Sequence, residues 1–185
     1  MSVIDTPATH LPDTLRRISF IRFGFAVAWA LLVALAAPSI APLLTVLLIV
    51  YPLVDAVSIF VELRAAGTSP RSHISEIANI VVSILAAGAL GWASFASPGA
   101  VLAVWGVWAV LAGALQLVTG VIRRPLGGQG PLIVSGGLSV LVGFAFLAQG
   151  LGGATSVASI AGYAALGGIL FLISGIRLSG KARAR

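Results

Sequence analysis

Residues 51–64 read YPLVDAVSIFVELR, and this stretch decides the fold because its frame recurs twice further along. With Tyr51 laid on Trp108 and Tyr163, the later copies read WAVLAGALQLVTGVIRR and YAALGGILFLISGIRLSGK. Each copy is an apolar run that opens on an aromatic residue and closes on basic ones. The steps are 57 residues from Tyr51 to Trp108 and 55 from Trp108 to Tyr163, so the chain reads as three similar units, the self-similarity that marks a repeat architecture. Only the first copy carries acids, Asp55 and Glu62.

Around this stretch the composition is that of a membrane protein. Of 185 residues, 59% are hydrophobic and 9% charged, with a mean hydropathy of +1.11, against about 25% charged in ordinary soluble domains. Six apolar runs lie near 20–37, 41–63, 75–95, 100–121, 131–149 and 155–177. Each approaches the roughly 20 helical residues that cross about 30 Å of hydrocarbon. They are continuously apolar rather than alternating in period two, which favours helices over a barrel. The expected fold is an all-α membrane protein with six transmembrane helices in three repeated two-helix hairpins, about 20–64, 75–123 and 131–177. A tail of residues 1–19 precedes this 20–178 domain and a basic tail of residues 179–185 follows it.

The net charge of +6 does not signal nucleic-acid binding, because the charges sort by connection. Arg16, Arg17 and Arg22 precede or open the first run, Arg64 and Arg71 follow the second, Arg123 and Arg124 follow the fourth, and Arg177, Lys181, Arg183 and Arg185 end the chain. The alternate connections AAPSIA, FASPGA and AQGLGGATS hold no charge. The positive-inside rule therefore places both termini in the cytoplasm. The run FAVAWALLVALAAPS, with Ala34-Leu35-Ala36 after its apolar core and Arg16-Arg17 ahead, has the outline of a secretory or twin-arginine signal. It is read instead as the first membrane helix, since it is long enough to span and the first unit needs it.

The chemistry concentrates in the second run. Tyr51, Asp55, Ser58 and Glu62 fall at i, i+4, i+7 and i+11, one stripe of a 3.6-residue helix. Asp55 lies nine residues before Arg64, about 13 Å inside the basic boundary and so near the bilayer middle. An intramembrane carboxyl costs about 2.5 to 3.5 kcal/mol on insertion scales and calls for a partner or a water cavity. Two readings stay open: part of a proton or cation pathway, or a neutral Asp55 that donates a hydrogen bond to a neighbouring helix and stabilises the bundle. Pro52 removes a backbone donor inside this helix and leaves a carbonyl for other groups to satisfy. Glu76, Asn79 and Ser83, at i, i+3 and i+7 of the third run, form a second polar stripe expected to supply a partner to Asp55 or Glu62.

Elsewhere the polarity thins out. Ala112 and Gly167 align with Asp55, and Thr119 and Ser174 with Glu62. Ser135, Ser139 and Gly143 recur at four-residue spacing, and Gly168 and Gly175 stand a heptad apart, faces that let helices approach in lipid. Trp105, Trp108 and Gln116 read as belt or packing groups. His10 reads as a solvated tail residue; His73, in the turn-rich stretch AAGTSPRSHISE, has Glu76 nearby but no third ligand. RRPLGGQGP lacks the lysine and Ser/Thr of a phosphate-binding loop and reads as a turn. With no cysteine, two separated histidines and no Gly-x-Ser-x-Gly elbow, no metal site, cofactor or catalytic set is expected.

WGVWAVLAGALQLVTGVIRR, IAGYAALGGILFLISGIRLSGKARAR and the intervening GGLSVLVGFAFLAQG together resemble the HdeD-like family of bacterial acid-resistance membrane proteins, over about residues 18–178. The resemblance implies a six-helix, multi-pass inner (plasma) membrane protein linked to acid stress, with no catalytic residues to carry over. The first unit departs from the pattern, with Asp55-Ala56 where the others have Ala112-Gly113 and Gly167-Gly168. The expected function is non-enzymatic, through contacts with the lipid bilayer, a second copy or another membrane protein. The alternative is a proton or small-solute transporter or channel using the Asp55/Glu62 stripe.

Overall fold

The computed structural model describes residues 11–36, 41–66, 70–126 and 129–183. The apolar runs form six helices: α1 (Leu11–Ala36), α2 (Ala41–Ala66), α3 (Pro70–Ala93), α4 (Pro98–Ile122), α5 (Gly130–Leu151) and α6 (Ser159–Arg183), with a 3-10 turn at Arg124–Leu126. All six are long and apolar enough to cross a membrane, and the described residues include no strand. The chain is a multi-pass membrane protein of the all-α class.

Several helices overrun their expected ends. α1 begins at Leu11 rather than near residue 20, because DTLRRISFIRF contains no Gly or Pro to stop a helix. The helix takes in much of the expected tail, while His10 lies outside the described residues. α3 begins at Pro70 rather than near residue 75, so Ser72 and His73, read above as part of a turn-rich stretch, are helical. Proline is tolerated in a first turn, where its missing N–H has no intrahelical partner to lose. α6 continues through the expected C-terminal tail to Arg183. α4 starts as its sequence dictates: Ser97 is extended, its Oγ accepts the Ala100 N–H at 3.0 Å, and Pro98 follows.

Each helix packs on its neighbours in sequence, and α1 closes on α6, which makes a ring of six. The closest packing lies at α4–α5, α1–α6 and α2–α3, across the boundaries of the expected hairpins, whereas α5–α6 is the slightest contact around the ring. Glycine explains the closest pair. Gly99, Gly106 and Gly113 recur every seven residues on α4 and meet Gly150, Gly143 and Gly136 of antiparallel α5. A Cβ added to Gly106 would fall 2.6 Å from the Gly143 carbonyl oxygen, so the backbones touch directly, the contact that drives association where lipid removes the hydrophobic incentive. On α6, Gly168 rests against Ala26 and Gly175 against the Phe20 ring of α1.

Inside the ring the core is aromatic. The Trp29 and Trp105 rings stack at 5.5 Å, Tyr51 packs 4.5 Å from Trp29, and Trp108 stands edge-on to Tyr51 and Trp105. Trp105 is fully buried and Trp108 5% exposed, so both are packing groups rather than belt residues. Pro52 sits buried in an unbroken α2. The Trp29 indole donates to the Leu47 carbonyl at 2.7 Å, beside the Leu48 carbonyl that Pro52 deprives of its donor.

Gly106→Ala should destabilise the bundle by about 1 to 3 kcal/mol through overpacking. Gly137→Ala and Gly162→Ala, whose added methyls meet open space, should be neutral or slightly stabilising through helix propensity. Thermal unfolding in detergent compares the three, and an unchanged midpoint for Gly106→Ala would contradict the backbone contact.

Candidate functional site

Arg22 lies in α1 between Ile21, which faces outward, and the half-buried Phe23, and its guanidinium reaches α2. Nη2 donates to Asp55 Oδ1 at 2.5 Å, and Nη1 stands 3.7 Å from Glu62 Oε1. The guanidinium carbon is 4.1 Å from the centre of the Phe171 ring on α6, a cation–π contact that suits a desolvated arginine. The Arg22 and Asp55 side chains are 14% and 13% exposed. The other carboxylate oxygen, Oδ2, accepts the Ser83 hydroxyl of α3 at 3.2 Å, and Ser83 Oγ accepts the Trp108 indole N–H of α4 at 3.0 Å. One carboxylate thus ties α1, α2 and α3 together, and α4 through Ser83.

A cavity of about 50 Å³ opens beside this pair, lined by Arg22, Tyr51, Asp55, Gln116, Ser139 and Tyr163 among others, with volume for a few water molecules. Ala112 and Gly167, the positions aligned with Asp55, line it too, as do Trp108 and Tyr163, the positions aligned with Tyr51. Across it the Tyr163 hydroxyl donates to Ser139 Oγ at 2.8 Å, while the Gln116 amide reaches the Leu132 carbonyl at 3.4 Å. Toward the charge-free end lies a wider hollow of about 440 Å³ touching Leu44, Thr45, Leu48, Ser94, Val101 and Val157. On α4 the buried Trp105 stands between Val101 of the hollow and Trp108 of the cavity, within the aromatic layer.

A second ion pair lies along the same stripe of α3, two turns before Ser83. Glu76, 5% exposed, pairs with Arg123, the residue that caps the C-terminus of α4, 11% exposed. Next to it Ser75 and Thr119 share a hydrogen bond of 2.7 Å. Glu76 Oε2, Asn79 Oδ1 and Arg123 Nε, all buried, have no hydrogen-bond partner among the protein atoms, so this face carries polar capacity beyond what the fold uses.

The structure brings together Tyr51 and Asp55 at the cavity, Ser83 with Asp55, and Glu62 with Arg22. It does not bring in Ser58, whose hydroxyl turns back to the Val54 carbonyl at 2.7 Å, the usual competitor for a helical serine. Glu76 turns to Arg123 rather than to the α2 stripe, and Asn79 bonds neither Asp55 nor Glu62. His73 is exposed on α3, within electrostatic reach of Glu76. Arg22 and Arg123 are the site residues that sequence reasoning missed, both counted there as membrane-flanking charges. A signal was present for Arg22, which follows Arg17 by five residues and has apolar neighbours on both sides. No family model, curated protein or solved structure matches the chain.

Arg22→Met should destabilise the protein by about 3 to 5 kcal/mol, because it removes one partner of a buried ion pair and leaves the other without its contact. Arg22→Met combined with Asp55→Leu should recover most of that loss, since apolar replacement of a whole buried pair is often neutral. Unfolding in mixed micelles measures both; equal loss in the single and double variants would contradict the pairing.

Proposed function

We propose that this is a non-enzymatic protein of the bacterial inner membrane whose polar residues hold the bundle together and which acts through the membrane or a membrane-protein partner. The observation that carries this reading is the Asp55 carboxylate, with one oxygen on Arg22 and the other on Ser83. Its hydrogen-bonding capacity goes into joining helices, and the aromatic layer around Trp29 and Trp105 stands between its cavity and the wider hollow. The arrangement in three two-helix units with cytoplasmic termini belongs to the same proposal and rests on the repeat spacing and the charge-free alternate connections. A role in acid stress rests on the HdeD-like sequence pattern.

A second reading, a proton or small-solute pathway, is favoured by one observation, the cavity beside Asp55 with room for water. It needs a way past the aromatic layer.

Reporters fused after Ser97 and Gly152 should both behave as external; a cytoplasmic signal from either would overturn the topology. In liposomes carrying a proton gradient, the native protein and Asp55→Asn should both match protein-free vesicles. Flux in the native protein that Asp55→Asn abolishes would replace the first reading by the second. Cells lacking the protein should survive acid challenge less well than cells carrying it, and equal survival would remove the acid-stress role.

A further inference from the structure

The buried charges do not balance. The ionisable side chains drawn into the two ion-pair groups are Arg22 and Arg123 on one side and Asp55, Glu62 and Glu76 on the other. Two guanidiniums face three carboxyls, which leaves one negative charge in excess if all are ionised. The two arginines are committed unequally. Arg22 is 2.5 Å from Asp55 but 3.7 Å from Glu62, and Arg123 goes to Glu76. Glu62 is therefore the carboxyl without a close partner of its own. An uncompensated charge in a low-dielectric bundle is costly, and such a group is neutralised where a proton can reach it.

We propose that Glu62 is a proton-binding site, holding one exchangeable proton that neutralises the buried Arg22–Asp55–Glu62–Glu76–Arg123 network. The surroundings decide for a proton over a metal cation. The charges that act on Glu62 come from several elements: Arg22 from α1, Asp55 from α2 itself, Glu76 from α3, with the exposed His73 beside it, and Arg123 at the C-terminal cap of α4. α6 contributes Phe171, which covers the Arg22 guanidinium. A metal ion at Glu62 would lie against Arg22, whose Nη1 already stands 3.7 Å from the carboxyl. A proton instead becomes part of the carboxyl, converts an acceptor into a donor, and leaves Arg22 wholly to Asp55.

Position supports exchange at Glu62 and not at Asp55. Glu62 lies two helical turns, about 10 Å, nearer the basic end and keeps 23% of its side chain exposed. Asp55 has both oxygens engaged. The proton arrives from water at the basic end and binds one Glu62 oxygen, and its loss returns Glu62 to the ionised form beside Arg22. This site stands apart from the structural role proposed above, since the Arg22–Asp55 tie persists in either protonation state.

Infrared spectroscopy of the full chain in nanodiscs tests the assignment, with pH as the only variable. The sequence contains two glutamates, Glu62 and Glu76, so side-chain 13C-glutamate labelling isolates them without any mutation. The expected result is one protonated-carboxyl band that shifts on glutamate labelling, disappears as pH rises, is lost in Glu62→Gln and survives in Glu76→Gln. If Glu62→Gln fails to fold, the labelled native protein and Glu76→Gln still decide. A band insensitive to glutamate labelling puts the proton on an aspartate and overturns the proposal, as does a band lost in Glu76→Gln alone. Absence of the band at every pH at which the protein stays folded overturns it as well. Loss of the band on adding sodium or potassium ions at fixed pH would make the ligand a metal cation, with the same consequence.

Discussion

The Arg22–Asp55 ion pair sets the terms for the rest of the bundle. Neither charge is tolerable alone at membrane depth, so α1 and α2 must present them to each other, and the pair then imposes further conditions. Asp55 has a second oxygen to satisfy, which places Ser83 of α3 beside it, and Ser83 has an acceptor site that the Trp108 indole fills. Fixing Trp108 fixes the aromatic layer, because its ring stands edge-on to both Tyr51 and Trp105. A chain of single contacts thereby carries the constraint from one guanidinium to the centre of the protein. Such a network specifies one arrangement of helices in a setting where apolar surface gives little preference between alternatives.

The positions superimposed by the sequence spacing meet in space at one cavity, yet they contribute differently there. The first copy places Asp55 at the wall while the later ones place Ala112 and Gly167. Three acidic side chains converging on one small volume would repel, and three small ones would leave nothing to hold Arg22. One carboxyl against two small residues provides both a counter-ion and the space for the ion pair. The same division appears in the contacts between helices, where α4 and α5 rely on glycine against glycine while α2 and α3 rely on a polar tie through Asp55 and Ser83.

The class of fold, the six spans and the central importance of Asp55 were legible in the sequence because they depend on run length, hydropathy and the cost of a carboxyl in lipid. The pairing of Ser83 with Asp55 was legible as a helical stripe. Arg22 was not, since Arg16, Arg17 and Arg22 look like one basic flank until α1 is seen to start at Leu11, which leaves Arg22 well inside a helix. His73 was placed in a turn-rich stretch because Ser69-Pro70 looks like loop punctuation, although a proline can equally open a helix. The heptad of Gly99, Gly106 and Gly113 was visible as letters, but a glycine on a helix is a contact only when a backbone stands opposite it. That requires knowing the partner, and the partner is α5, across the boundary of the expected hairpin.

The unequal packing around the ring also accounts for where the polar cavity lies. Where α4 and α5 meet at glycines their backbones touch, and no water-sized space remains between them. α5 and α6 stand further apart, and the gap is bridged by side chains, through the Tyr163 hydroxyl on Ser139 and the Phe146 ring against Tyr163 at 5.7 Å. The cavity opens on this slack seam, taking Ser135 and Ser139 from α5 and Tyr163 and Gly167 from α6. Tight packing on one side of α5 and loose packing on the other are thus complementary consequences of where the glycines fall. The charged pair lines this same cavity from the opposite side, Arg22 from α1 and Asp55 from α2, so the slack seam gives the guanidinium and its carboxylate a polar space to face.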